Sequence, residues 1–332
     1  MHYLNKAFLP FFFLIYSSCY FDNNIVTNRG NELGTFYTIK YERNNINPLE
    51  FQNGIDSIFF EINNSLSTYI KKSDISRIND GDSLIKVDKH FRKVFKKSKE
   101  IWAVTNGYFD PTVGSLVNAY GFGPEQTIIK IDSFVLDSLM DGVGMNKIKI
   151  TSDYRVIKRH SQTYIDFNAI AKGYTVDCIY DYLISLGNKN FLIEIGGEIR
   201  AKGFNPSTQK KWKIGISVPE KDKGKKFIQT YEIGDYAMAT SGNYNKFRID
   251  SLTGEKFVHS VNPINGLAFD SNILSVSVIA PSCIVADAFA TALMVMPLEN
   301  GKKIVQENQK IEANWVISRK NELVQIKSSG WN

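Results

Sequence analysis

Apolar positions recur along this chain with two periods, and the period changes from block to block. Residues 35–41 alternate apolar and polar, which predicts a strand. Phe51, Ile55, Ile58, Phe59, Ile62 and Leu66 recur at three and four, as do Phe91, Val94, Phe95, Ile101 and Trp102. Each set predicts an amphipathic helix, the second stopped by Asn106-Gly107. Val135 and Leu139 mark a short third helix ended by Gly142. Short strands are expected at 147–151, 156–159 and 163–167, then a helix from about Ala169 to Leu186 closed by Gly187. Strands follow at 190–195, 212–218, 227–233, 244–249 and 273–280, and two more near 314–318 and 323–326. No strict βαβ alternation, internal repeat or low-complexity linker interrupts this series. The expectation is an α+β fold of mixed, largely antiparallel sheets with packed helices.

One polar residue breaks the apolar pattern. Ile284-Val285-Ala286-Asp287-Ala288-Phe289-Ala290-Thr291-Ala292-Leu293 is apolar almost all round and follows Pro281-Ser282, with Ser282 placed as N-cap. A helix of that kind is buried. Asp287 and Thr291 lie one turn apart on the same face. An unpaired buried carboxylate is costly, so Asp287 must be neutralised or paired. A hard cation such as Mg²⁺, held by the carboxylate and the Thr hydroxyl, is one solution. Hydrogen bonds from backbone amides are the other.

Before residue 33 the pattern is of a different kind. Ala7 to Tyr16 is an apolar run too short to span a bilayer, preceded by Lys6 and followed by Ser17-Ser18-Cys19. Small residues before a Cys resemble a bacterial lipobox, although Tyr16 stands where Leu is usual. Residues 1–18 are therefore expected to be a lipoprotein signal peptide and Cys19 an acylated N-terminus. Residues 19–32, polar and Asn-rich, are expected to tether a domain spanning 33–330 to the extracytoplasmic (periplasmic) side of the cell membrane. The net charge of +6 falls to +5 without Lys6. Its one basic cluster, Lys221 to Lys226, reads as a solvated hairpin loop, and no basic helix with interleaved aromatics argues for nucleic acid. Of the three cysteines, Cys178 and Cys283 remain for the domain, in apolar helical contexts where free thiols are common and where a disulfide is also open.

Five further segments can carry chemistry. In Tyr164-Ile165-Asp166-Phe167-Asn168-Ala169-Ile170-Ala171-Lys172 a strand runs into a helix start, a natural phosphate seat to which Lys172 adds charge. Asp166 could accept from a hydroxyl or ring N–H, or simply cap the helix. Gly107-Tyr108-Phe109-Asp110-Pro111-Thr112 and Tyr120-Gly121-Phe122-Gly123 set aromatics among glycines, either to stack a planar ligand or as a rigid turn. Glu194-Ile195-Gly196-Gly197-Glu198 ends a strand, and Thr240-Ser241-Gly242 follows later. His259, in a chain with four histidines, precedes the turn-rich Asn262-Pro263-Ile264-Asn265-Gly266, where catalytic and structural histidines both occur.

Taken in order, these segments resemble the ApbE family of FAD-dependent protein FMN transferases, from Leu33-Gly34-Thr35 to beyond Thr291. Ser67-Thr68-Tyr69 also resembles it. The resemblance implies that Asp287 and Thr291 bind Mg²⁺ with the backbone of Ala169, and that Leu33, Tyr69, Tyr108, Phe109, Asp110, Asp166, Lys172 and Val261 line the FAD site. Leu33, Asn168 and Asn262 stand where Met, Gly and Asp are usual, and a lost charge at 262 would alter the basicity of His259. The implied activity is Mg-dependent transfer of FMN from FAD, as substrate, onto a Ser/Thr hydroxyl of an acceptor flavoprotein through a phosphoester bond, releasing AMP. His259 is the candidate catalytic base. FAD pyrophosphatase activity giving FMN and AMP, and a non-catalytic flavin-binding lipoprotein, are the alternatives.

Overall fold

The computed structural model describes residues 24–124, 131–218, 227–243, 247–249, 256–268, 271–320 and 322–331. The chain opens with β1 (Ile25–Glu32), β2 (Thr35–Glu42), α1 (Pro48–Leu66), α2 (Asp74–Asn79), α3 (Lys89–Val104), α4 (Gly114–Ala119) and α5 (Ser133–Met140). It continues through β3 (Ile148–Ile150), β4 (Val156–Lys158), α6 (Ala171–Ser185), β5 (Phe191–Ile195), β6 (Glu198–Lys202), β7 (Trp212–Val218) and β8 (Phe227–Ile233). The last third is β9 (Ala237–Gly242), β10 (Phe247–Ile249), β11 (Lys256–Val258), β12 (Ile273–Ala280), α7 (Cys283–Val295), α8 (Leu298–Glu307), β13 (Glu312–Arg319) and β14 (Glu322–Lys327).

An 8-stranded sheet in the order β1-β2-β5-β6-β9-β12-β13-β14 is the frame. Each neighbouring pair in it is antiparallel. Strand alternation decides which side chains face which layer. Tyr37, Ile39 and Tyr41 of β2 and Phe191, Ile193 and Ile195 of β5 pack against Phe51, Ile55 and Phe59 of α1 and Val176, Ile179 and Leu183 of α6. Each such fully buried side chain contributes about 1.5–3 kcal/mol. Leu192, Ile199, Ala201 and Met238 face the other way and are covered by Trp212, Ile214 and Ile216 of β7 and by Trp331. Helix α1 starts where the sequence provides a cap: Asn47 accepts from the Leu49 amide at 2.9 Å and Pro48 opens the first turn. Helix α7 packs on β9 and β12 and lies beside α6.

The α+β, largely antiparallel expectation holds, with differences in detail. Ile25–Glu32, expected in the tether, is the edge strand β1. Its polar residues carry no alternation because an edge strand needs only backbone pairing, here to β2 through the two-residue turn Leu33-Gly34. Both turn residues have positive φ, 52° and 70°, the mirror-image turn that suits strand twist. Segment 163–167 forms no strand beyond a single parallel bridge between Val113 and Tyr164. Its alternation is real, but its backbone is satisfied by the Asn79 side chain, which both donates to the Ile165 carbonyl and accepts from its amide at 2.8 Å, and by Pro111. Of 244–249, only Phe247–Ile249 is described, as β10. Cys178 and Cys283 are both free thiols. Cys19, the apolar run before it and the Lys221–Lys226 cluster lie outside the described residues.

Candidate active site

The β1–β2 turn, the end of α1, the loop before α4, the start of α6 and the ends of β5 and β9 converge with α7 around a cleft of about 1750 Å³. Leu33, Tyr69, Tyr108, Phe109, Asp110, Asp166, Ala169, Lys172, His259, Val261, Asp287 and Thr291 all line it. The sequence separates these positions widely; the sheet brings them together.

Helices α6 and α7 hold each other by their N-termini. Asp287, 3% exposed, accepts from the Gly173 amide in the first turn of α6 at 2.9 Å through Oδ2. Asp177 of α6 accepts from the Cys283 and Ile284 amides that open α7, each at 2.9 Å. Ser282 occupies the N-cap position of α7, as expected, but its side chain makes no capping bond; Asp177 takes that part. Arg200 of β6 balances Asp177 at 2.6 Å. A carboxylate facing unpaired amides at a helix start also meets the positive end of the helix dipole. The two helices approach so closely that a Cβ on Gly173 would sit 2.4 Å from the Cys283 carbonyl oxygen.

Both readings of Asp287 therefore have a place. Oδ2 caps a backbone amide, while Oδ1 makes no hydrogen bond among the described residues. Thr291, one turn on, has its hydroxyl 3.5 Å from that of Ser241. The Ala169 carbonyl likewise receives no hydrogen bond among the described residues. One carboxylate oxygen, a hydroxyl and a carbonyl are the hard donors that suit Mg²⁺, and these residues fit that ion. Among the described residues no cluster of three or more His, Cys, Asp or Glu offers a different metal site.

Lys172 is not the solvated cation that its place in the helix allows. Its ammonium lies 2.6 Å from Glu198 Oε1. Burial pulls the ammonium down, but the nearby Asp287 and Glu198 carboxylates outweigh it and hold Lys172 above its ordinary range. Burial, aided by Asp287 and opposed by Lys172, pushes Glu198 up to about 7. The helix start itself is already largely occupied: the Ala171 amide donates to the Phe167 carbonyl and that of Gly173 to Asp287. In that first turn, only the Lys172 amide lacks a hydrogen bond among the described residues, so an anion there would be met chiefly by side chains.

The other polar candidates are partly spent on their own loops. Asp110 accepts from the Thr112 amide and hydroxyl at 2.8 and 2.6 Å and from the Met145 amide at 3.1 Å. Burial raises its carboxyl despite those bonds. Phe109 is 2% exposed and belongs to the core, whereas Tyr69 is 59% exposed at the rim and free to cover a flat ligand. Asp166 accepts from the Asn168 amide at 2.7 Å, and Asn168 reaches the Thr68 hydroxyl at 3.4 Å. Asn168 does not have a positive φ, so this loop does not need glycine there. His259 follows β11, its ring edge-on to Phe122 with centroids 6.4 Å apart. Asn262 donates to the Val295 carbonyl at 3.2 Å and accepts from the Ile264 amide at 2.9 Å. That residue works as a clamp on the His259 loop; an Asp could not donate to Val295.

Among known proteins, the ApbE family matches residues 33–315. The chain belongs to the ApbE family. An FAD:protein FMN transferase of Vibrio cholerae serotype O1 is 37% identical over 287 residues, covering 84% of each chain. One of Haemophilus influenzae is 30% identical over 302 residues, covering 88% of this chain and 86% of its own. The solved flavin transferase ApbE from Vibrio cholerae has the same fold, with a TM-score of 0.83 at 34% identity over 92% of this chain and 97% of that one. The apo form of Pseudomonas stutzeri flavinyl transferase ApbE gives 0.82 at 27% identity, covering 92% and 95%. Within this ApbE fold, Asp177 is the residue that reading the sequence for function passed over, while Glu198 and Gly173 lie in segments singled out there without a role of their own. Asp177 carries the same signal as Asp287, an acid inside an apolar helix, and Glu198 directly follows a Gly-Gly turn.

Proposed function

We propose that this ApbE-family chain transfers FMN from FAD onto a Ser or Thr hydroxyl of an acceptor flavoprotein, through a phosphoester bond, releasing AMP. The observation that carries the reading is the gathering of an exposed aromatic rim, a half-buried Lys172 paired with the buried Glu198, the Asp287–Thr291 face and His259 around one cleft. The acceptor oxygen bonds to the phosphorus on the FMN side of the pyrophosphate, the bridging P–O bond breaks, and AMP leaves with the bridging oxygen. Asp287 and Thr291, with the Ala169 carbonyl, would hold Mg²⁺, which supplies charge neutralisation at the pyrophosphate when bound. Lys172 adds a fixed cation on the same side of the cleft. His259 takes the proton of the acceptor hydroxyl, which an imidazole can do near neutral pH. Leu33, Tyr69 and Tyr108 shield the flavin and adenine rings, and Val261 packs beside them.

Incubation with FAD, MgCl₂ and a candidate acceptor, followed by intact-mass measurement, tests this. An acceptor heavier by one FMN is the expected product. Free FMN and AMP with an unmodified acceptor would make the chain a pyrophosphatase instead, and FAD bound without turnover would make it a carrier. In the same assay His259→Ala should slow transfer by roughly a hundredfold, the scale of a lost general base, with FAD affinity little changed. Turnover close to that of the parent would remove His259 from the chemistry.

A lipid anchor at Cys19 on the extracytoplasmic side completes the proposal. Among the described residues no helix is long and apolar enough to cross a membrane. Cys19→Ala should move the protein from the membrane pellet to the soluble fraction; equal recovery of both proteins in the pellet would end the anchor reading.

A further inference from the structure

Two buried carboxylates and one ammonium share the floor of the cleft. The ammonium of Lys172 feels both Asp287 and Glu198, yet its ion pair is with Glu198 alone, at 2.6 Å. Asp287 is left with one oxygen on the Gly173 amide and one without a hydrogen bond among the described residues. Glu198 is fixed for this task. It opens β6 directly after Gly196-Gly197, whose φ values of 60° and 99° turn the chain sharply, and it is 4% exposed. Two residues on, Arg200 makes a second pair with α6, to Asp177, so β6 and α6 are joined by two ion pairs of opposite polarity. The Asp177–Arg200 pair has a helix end to support, whereas the Lys172–Glu198 pair has a buried oxygen, Glu198 Oε2, with no hydrogen-bond partner among the described residues. A merely structural pair of this kind is a poor source of stability, because desolvation offsets its attraction.

We propose that Glu198 is a positioning residue that holds the Lys172 ammonium away from Asp287 and so keeps Asp287 open to a divalent cation. Without the Glu198 charge, Asp287 is the remaining carboxylate within the field of Lys172. The ammonium would then neutralise Asp287 internally and compete with the metal for it. With both carboxylates ionised, the three groups together carry one net negative charge, which a divalent cation converts to one net positive charge facing an anionic ligand. The inference rests on Asp287 being a metal ligand, and the experiment separates the two.

Magnesium binding is measured by calorimetric titration with MgCl₂, without flavin, on the parent, Glu198→Gln, Lys172→Met, the double variant and Asp287→Asn. Glutamine keeps the shape and the hydrogen-bond acceptor but not the charge. The expected result is Mg²⁺ affinity about tenfold weaker in Glu198→Gln, on the scale of one lost close opposite charge in a partly screened site. Lys172→Met should bind at least as tightly as the parent, and the double variant should recover parental affinity because the internal competitor is gone. A staple that only supports the fold would not be rescued by removing its partner. Parental affinity in Glu198→Gln, weakened affinity in Lys172→Met, or a double variant as weak as Glu198→Gln would each overturn the role of Glu198 alone. A parent that takes up no Mg²⁺, or an Asp287→Asn variant that binds it like the parent, would overturn the metal reading and this inference with it.

Discussion

Asp287→Asn is expected to cut flavin transfer about a thousandfold while the protein stays folded, a loss of several kcal/mol of transition-state stabilisation that matches removal of a metal ion's anchor. The substitution is nearly isosteric. The amide oxygen can go on accepting from the Gly173 amide, so the link between α6 and α7 survives. What disappears is the charge, and with it most of the attraction for a hard cation. It also removes an anion from beside Glu198, which relieves part of the cause of that carboxyl's upward shift. Without metal, the variant should melt at or above the parental temperature, because a buried charge has gone. Melting curves with and without MgCl₂ read this directly: the Mg²⁺-induced rise should be present in the parent and absent in the variant. Equal rises, with activity retained, would move the metal elsewhere.

Gly173→Ala tests the same junction from the other helix, and two effects oppose each other. Helix propensity favours alanine by at most about 1 kcal/mol, the interior value, at this first-turn position. Packing opposes it: the new Cβ would lie 2.4 Å from the Cys283 carbonyl oxygen and 2.7 Å from the Asp287 Cβ. The first of these is backbone and cannot rotate aside, so the helices must separate. Overpacking of that kind costs about 1–3 kcal/mol, more where backbone must move. Packing should win, with a net loss of about 2 kcal/mol in urea unfolding and a loss of most transfer activity as Asp287 is carried away from Ala169. A variant more stable than the parent would show that the close approach is not required.

The legible parts of this molecule were those where side chains announce their burial. Thr35–Glu42, Pro48–Leu66, Lys89–Val104, Trp212–Val218 and Ile273–Ala280 all come from plain periodicity. Asp287 stood out because nothing else in its helix is charged. Strand β1 did not, because the polar run from Thr27 to Asn31 earns its place by backbone pairing at an edge, which leaves no hydrophobic trace. The segment around Ile165 misled in the opposite way, since an asparagine side chain from residue 79 stands in for the neighbouring strand. In the site, residue types pointed to the right cleft but not to the division of labour within it. Lys172 reads in sequence as a free phosphate ligand, and only the fold reveals that Glu198, on another element, already holds it. Asp110 reads as a ligand group and turns out to spend its oxygens on Thr112 and Met145.

The mutual capping of α6 and α7 has a consequence for how the protein breathes. The Gly173 amide proton is sealed by a side chain of α7, and the Cys283 and Ile284 amide protons by a side chain of α6, across 114, 106 and 107 residues of sequence. Fraying of either first turn breaks a bond to the other helix. Hydrogen exchange at these three amides, which in most helices is fast at the open end, should therefore report one shared opening event rather than two local ones. Matched exchange rates at the three amides are the expected result, and unequal rates would mean that the floor of the cleft opens in separate pieces.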